Sequence, residues 1–228
     1  PISIHKNLSL MKRKKITNTI LEASSHGLKQ NRLDGLKFDI SIFTNLSRDH
    51  LDYHKTYKDY FNSKLILFKK LTKREGMIIY DNDISHSKIL KKICINRKIK
   101  SLTLGKKDSN LIIKKHEYVG NLQIVEIEFN KKKYSFTTSL IGKIQVKNLL
   151  FAILAASKSK IKFNKIIEFI NYIKPVEGRL ENVGNIKNNS KVILDYAHTP
   201  DALKYTLESI REQFNESSIS IVFGCGGD

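Results

Sequence analysis

At 228 residues, 40% of them hydrophobic, the chain is long enough to bury at least one sizeable core and to form one or two domains. It has no apolar run of about eighteen residues and no charged flank followed by an apolar leader, so neither a helical membrane span nor a signal peptide is expected and a cytoplasmic location is the default. The net charge of +19, from 41 basic and 22 acidic residues, comes mostly from lysines scattered through every segment, which predicts a solvated surface suited to anionic small substrates rather than a nucleic-acid interface.

Cys94 and Cys225 are far apart and neither has a CxxC partner, so both are expected to be reduced thiols rather than parts of a disulfide framework or zinc site.

The period of the apolar residues switches repeatedly along the chain. "KITNTILEAS" and "FDISIFTNL" read as strands, and "TYKDYFNSKLILFKKL" places Tyr57, Phe61, Leu65 and Phe68 at helical spacing. "EGMIIYDND" is again a short buried strand. In "NLQIVEIEFNKKKYSFTTSLIG" two alternating runs flank an Asn-Lys turn, which predicts an antiparallel hairpin. Two helical patterns follow, "IQVKNLLFAILAASKS" and "FNKIIEFINYI". Then "KPVEGRLENVGN" breaks all periodicity with Pro175, Gly178 and Gly184. A domain boundary is placed there, with residues 1–175 as a central domain and 176–228 as the start of a second. "KVILDYAHTPDALKYTLESIREQF" reads as strand, loop and helix, with Thr199 or Asp201 as N-cap and Pro200 near the first helical position. "SISIVFGCGGD" reads as a last strand running into a glycine turn. The fold class is therefore α/β, a mostly parallel sheet flanked by helices with a small antiparallel hairpin, followed by the start of a Rossmann-like domain. The chain starts at Pro1 without methionine and stops after a strand with nothing to cover it, so a fragment is expected.

Functional groups of open α/β sheets gather at the carboxyl ends of strands, and the loop "SRDHLDYHK" sits at such an end. His50, Asp52 and His54 have alternate spacing that suits a metal or equally a solvated loop. Lys64 falls beside Tyr60, Phe61, Leu65 and Phe68 on the inward face of the next helix. A buried ammonium is costly unless it is paired, chemically altered or snorkels to solvent. Glu22 closes the first apolar run, followed by Ser24, Ser25 and His26. If the first two strands are parallel neighbours, Glu22 and His50 converge on one sheet edge, where a carboxylate, an imidazole and a modified lysine would hold a hard divalent cation against a phosphate. Ser25 and His26 are sequence neighbours without a G-x-S-x-G elbow, which disfavours nucleophilic catalysis.

The motifs "EASSHGL", "TNLSRDHLDYH", "YFNSK", "GRLENV", "DYAHTPDAL" and "VFGCGGD" occur in the order found in the Mur ligases. Over essentially its whole length the chain resembles that family, and most of all its tripeptide-forming branch. The resemblance implies an ATP-dependent amide ligase of peptidoglycan synthesis that adds the third amino acid, meso-diaminopimelate or lysine, to UDP-MurNAc-L-Ala-D-Glu through an acyl phosphate. It implies Mg2+, ATP as a substrate, and a carbon dioxide-derived carbamate on Lys64, which turns a cation into an anion. By the same match Glu22, His50 and Lys64 become the metal and catalytic set, and Ser24, Gln30 and Arg32 contact the UDP-MurNAc-dipeptide. Asn148 matches the adenine contact, Arg179 the nucleotide contact at the hinge, and Asp195 the ribose-binding acid, with His198 near the nucleotide. The partners implied are the UDP-MurNAc-dipeptide, ATP and a diamino acid, with no nucleic acid, no membrane span and a monomeric chain.

Departures from the family pattern set further expectations. The family's P-loop should precede the first strand, and "LGKKDS" and "IGKIQV" do not replace it, because neither has Ser or Thr directly after the lysine. The uridine-gripping N-terminal domain, most of the C-terminal domain and the Asp-Asn-Pro-Arg motif of diaminopimelate selection also lie outside these residues. "GKIQVKN" stands where the family has an Arg-Phe-Asn pattern. The 228 residues by themselves are therefore expected to be inactive. A metal-dependent phosphohydrolase using Glu22, His50, Asp52 and His54 is the competing enzyme reading, and a basic nucleic-acid module the non-enzymatic one. Neither accounts for six motifs in order.

Overall fold

The structure is a computed structural model and describes residues 2–47 and 50–224. It divides into two compact units, one made of the chain up to Ile78 with Lys88–Ser101, the other of Ile79–Ser87 with the chain from Leu102 onward. Six strands form one sheet in sequence order, and two more pair separately. Among the described residues no helix is long and apolar enough to cross a membrane.

The first unit begins with α1 (Ile2–Arg13), a coil segment, α2 (Ser25–Lys29) and β1 (Phe38–Phe43). Then come α3 (Leu51–His54) and α4 (Tyr57–Ile66), which passes into a π-helical turn over Leu67–Leu71. Strand β2 (Thr72–Asp81), α5 (Ser87–Arg97) and β3 (Lys100–Gly105) complete the helix-connected half of the sheet. Helix α4 starts where it does because Thr56, in extended conformation, accepts the Asp59 N–H with its hydroxyl. Its apolar stripe buries Phe61, Leu65 and, in the π turn, Phe68, and Phe43 from β1 lies 6.1 Å from Phe61 and 5.8 Å from Phe68, ring to ring. Tyr57, expected on the same stripe, is 40% exposed, because it stands at the first position of the helix before the packed face begins. Arg97 on α5 donates to the Phe68 and Thr72 carbonyls at 2.6 and 2.9 Å, satisfying acceptors that the end of the π turn leaves open.

The strand expected over "KITNTILEAS" does not form. Residues 16–24 are coil without a ladder, and Ile20 is fully exposed. Alternating apolar residues become a strand only where a neighbour offers hydrogen bonds, and no described strand pairs with this segment. Glu22 is accordingly an exposed coil residue rather than the end of a strand.

The second unit is built on an antiparallel meander of β4 (Leu111–Val119), β5 (Leu122–Phe129) and β6 (Lys132–Thr138). Strand β3 joins it in parallel, Leu104 opposite Leu111. The expected hairpin is β5–β6: Phe129 pairs with Lys132 across a two-residue turn in which Asn130 and Lys131 both have positive φ, 52° and 62°. Sequence alternation located those two strands, whereas β4 was not anticipated. Helix α6 (Lys143–Ala156) buries Val146, Leu149, Leu150, Ile153 and Leu154. It starts at Gly142, whose φ of +81° suits glycine and whose absent Cβ would stand 2.8 Å from the Ser209 Cβ. After α7 (Phe163–Glu168) and a 3-10 turn, β7 (Glu181–Asn185) and β8 (Lys191–Leu194) pair antiparallel and lead to α8 (Pro200–Gln213). Thr199, not Asp201, is the N-cap, with its hydroxyl accepting the Ala202 N–H and Pro200 at the first helical position. The final strand expected after α8 is coil over residues 218–224, again with no described partner, and Cys225–Asp228 of "VFGCGGD" lie outside the described residues. Cys94 is buried, a free thiol whose pKa burial pushes up.

Candidate functional site

In the first unit, three motifs that are separate in sequence meet. Ser24 caps α2, its hydroxyl accepting the Gly27 N–H at 3.1 Å, and this short helix carries His26, Lys29 and Gln30 at or next to its body. The His26 ring lies 4.7 Å from the His50 ring, 4.1 Å from Tyr53 and 5.2 Å from His54. His50 has φ +55°, a left-handed turn at the entry to α3 that histidine tolerates better than bulkier residues. Tyr60 then joins the cluster: the His50 ring is 5.9 Å from its ring, and the Lys64 Nζ lies 5.1 Å from the same ring centre. His50 and Lys64, both singled out by sequence, are thus brought against one aromatic ring. Lys64 itself is half-buried on α4, between the buried Ser63 and Leu65.

Other sequence-predicted residues are placed more loosely. Glu22 is exposed two residues before the Ser24 cap. Gln30 donates to the Tyr53 hydroxyl at 3.1 Å, and the exposed Arg32 closes the turn after α2 through its backbone N–H to the Gly27 carbonyl at 2.8 Å. Asp52 is exposed on α3. His54, by contrast, is fully buried, with Nε2 2.9 Å from the Ser25 hydroxyl and Nδ1 3.6 Å from Asp59 Oδ2. Among the described residues no three His, Cys, Asp or Glu side chains gather in a way that could hold a metal ion, so the carboxylate cluster of the phosphohydrolase reading is not supported.

Burial holds the His54 pKa below its ordinary value, with Asp59 opposing the shift. The unfolded chain therefore binds a proton on this residue before the folded one does. Stability is full above the unfolded pKa of about 6.5 and is lost as pH falls through that value toward the folded pKa. The urea midpoint is expected to drop between pH 7 and pH 5, with a shallower drop in His54→Gln.

In the second unit, "GRLENV" meets "DYAHTP". Asp195 accepts three hydrogen bonds from the protein: Oδ2 accepts the Leu180 N–H at 2.8 Å, and Oδ1 accepts the Ala197 N–H and the Thr206 hydroxyl, each at 3.0 Å. The Arg179 guanidinium lies 4.8 Å from the Tyr196 ring centre, and His198 stands 5.1 Å from the same ring. Gln145 on α6 donates to the Arg179 carbonyl at 3.1 Å. The exposed Asn148 follows three residues later on the same helical face. Lys147, between them, is ion-paired with the buried Asp81 at the end of β2. The Arg179 and His198 side chains thus share the Tyr196 ring, Gln145 ties α6 to the Arg179 backbone, and Asn148 lies one turn further along that helix.

Sequence reading placed Tyr60 beside Lys64 without its contact to His50, and it missed His26 as a ring partner, Asp59 and the Lys147–Asp81 pair. Only Asp59 carried a local signal, as the acidic residue three positions after the Thr56 cap.

The Mur ligase middle domain model matches residues 1–156, and the model of the Mur ligase glutamate ligase domain matches residues 178–228. A Chelativorans sp. (strain BNC1) protein named UDP-N-acetylmuramoyl-L-alanyl-D-glutamate--2,6-diaminopimelate ligase is 37% identical over 228 residues, 100% of this chain and 47% of its own length. The solved structure of a ligase with the same name superposes with a TM-score of 0.71 at 30% identity, covering 91% of this chain and 42% of that one. A MurF ligase from Thermotoga maritima in complex with ADP has a TM-score of 0.66 at 17% identity over 83% of this chain and 42% of its own, a likeness of fold. The chain thus spans less than half the length of these relatives. With the middle-domain model matched over more than half of the sequence, and the α/β sheet of such proteins reproduced, the chain belongs to the Mur ligase family.

Proposed function

We propose that this chain carries the central catalytic segment, residues 1–175, and the first part of the C-terminal domain, residues 176–228, of an ATP-dependent ligase that joins meso-diaminopimelate to the D-Glu carboxylate of UDP-MurNAc-L-Ala-D-Glu in the cytoplasm. The observation that carries the reading is the packing of His50 and Lys64 against the one ring of Tyr60. An ammonium there repels a cation, whereas a carbamate on Lys64 supplies anionic oxygens beside the His50 imidazole, a donor set that fits a hard divalent ion. His50 and the Lys64 carbamate, with Glu22, would hold Mg2+, which screens the repulsion between the D-Glu carboxylate and the γ-phosphate of ATP. Ser24, Gln30 and Arg32 around α2 orient the UDP-MurNAc-dipeptide so that its carboxylate meets the phosphoryl group in line. Carboxylate oxygen attacks phosphorus and ADP leaves. The diaminopimelate amine then attacks the acyl carbon, and phosphate departs from the tetrahedral intermediate. Asn148, Arg179, Asp195 and His198 serve the nucleotide, Arg179 and His198 through the exposed Tyr196 face. The diaminopimelate assignment is supported by the names of the relatives.

The test is a segment exchange in which residues 1–228 replace the matching segment of a diaminopimelate ligase of the family. The chimera is expected to form tripeptide product only with ATP, the dipeptide substrate and diaminopimelate together. A folded chimera that hydrolyses ATP without coupling it to amide formation would argue against the reading.

A further inference from the structure

The buried histidine of the first unit belongs to a closed polar ring. Ser25 and Lys29 stand one turn apart on α2, at its two ends. Ser25 Oγ lies 2.9 Å from His54 Nε2, His54 Nδ1 lies 3.6 Å from Asp59 Oδ2, and the same carboxylate oxygen accepts from Lys29 Nζ at 2.5 Å. The backbone of α2 closes the circuit from Lys29 back to Ser25. Two helical segments, α2 and the α3–α4 corner, are thereby clamped together at two points.

The direction of the hydrogen bonds follows from what surrounds each imidazole nitrogen. The Ser63 hydroxyl donates to the Asp59 carbonyl at 2.8 Å, so its proton is committed and only a lone pair is left for His54 Nδ1, 3.5 Å away. Asp59 Oδ2 can only accept, since the hydrogen bond from Lys29 holds its carboxyl pKa below the ordinary value. Nδ1 thus faces two acceptors, at 3.5 and 3.6 Å, an arrangement that favours the ring proton on that nitrogen. Nε2 is then bare, and the Ser25 hydroxyl donates to it. The rings of His26, Tyr53 and Tyr60 enclose the imidazole at 5.2, 4.9 and 5.2 Å.

We propose that Ser25, His54, Asp59 and Lys29 form a positioning ring in which His54 is fixed as the Nδ1–H tautomer, and that this ring sets Ser24 and Gln30 in place to contact the dipeptide substrate. The second half rests on the substrate reading given above for those two residues. His54 does not touch substrate. It acts through Ser25, the neighbour of the Ser24 cap, while Gln30 is held at the other end of α2 by its bond to Tyr53, the residue next to His54. A packing role alone would accept either tautomer, so the tautomer is the discriminating observable.

The experiment is multiple-bond 15N NMR of the histidine-labelled 228-residue chain at neutral pH, with the His54 signals identified by their loss in His54→Gln. The Nδ1–H pattern is expected. Ser25→Ala, which removes the donor without leaving a bulky defect, is expected to speed exchange of the Leu28 and Gln30 amides about tenfold, and Ser25→Thr to restore it. In the segment-exchange chimera, affinity for UDP-MurNAc-L-Ala-D-Glu is expected to fall about tenfold in Ser25→Ala and to recover in Ser25→Thr, a shift of about 1.4 kcal/mol. An Nε2–H tautomer, or exchange that Ser25→Ala leaves unchanged, overturns the ring whatever the substrate does. The expected tautomer and exchange, with no substrate binding by any form of the chimera, leave the ring standing and overturn the substrate reading.

Discussion

Asp195→Ala is expected to lower the stability of the second unit by about 2–4 kcal/mol, because it removes an acceptor that serves three donors at once. Both carboxylate oxygens are used: the Leu180 N–H, the Ala197 N–H and the Thr206 hydroxyl converge on them from three segments. Leu180 is buried and has φ +47°, so its backbone N–H is held in a turn with little freedom to find water instead. Asp195→Asn keeps one acceptor oxygen and turns the other into a donor facing a donor, so it should lose part of the effect rather than all of it. Denaturant midpoints, with amide exchange at Leu180 and Ala197, check both variants. A wild-type midpoint for Asp195→Ala would mean that the carboxylate is available for ligand and does not hold the hinge. The proposed ribose contact is affected by the same result. Nucleotide binding lost in Asp195→Ala has two sources, and the Asn variant separates them.

Phe68→Ala is expected to cost about 3–5 kcal/mol. Phe68 is 2% exposed, sits in the π turn directly after α4, and meets Phe43 of β1. The cavity would open beneath the helix that carries Lys64 and Tyr60, while the backbone carbonyl that Arg97 holds is retained. Urea unfolding gives the size of the effect, and the Lys64–Tyr60 contact should loosen with it, visible as faster exchange along α4. Phe68→Leu, which keeps most of the volume, is expected to stay within about 1.5 kcal/mol.

What the sequence revealed tracks how local the cause is. Helix α4, helix α8 with Thr199 and Pro200, and the β5–β6 hairpin are each specified by residues within the element, and each formed where expected. The segments 16–24 and 218–224 have equally good alternation but need a partner strand, which the alternation cannot supply, and they remain coil. Strand β4 was overlooked although it makes an eight-pair ladder with β5, because "LIIKKHEYV" alternates weakly and owes its state to that neighbour. The site divides in the same way. The inward position of Lys64 was visible from helical spacing, and the structure adds Tyr60 as the ring it shares with His50. The Ser25–His54 bond joins residues 29 positions apart and no local pattern announces it. Asp195 looked like a ligand-binding acid, while its structural duty depends on a backbone N–H that sequence does not display.

The most direct test of the account is whether Lys64 takes up carbon dioxide. With 13C-bicarbonate supplied to the 15N-lysine-labelled chain at neutral pH, the account predicts one carbamate carbon signal coupled to the Lys64 Nζ. It should disappear in Lys64→Ala and on exhaustive removal of carbon dioxide. The absence of that signal in the wild-type chain, or its persistence in Lys64→Ala, would contradict the assignment of Lys64 as the carbamylated group of the site.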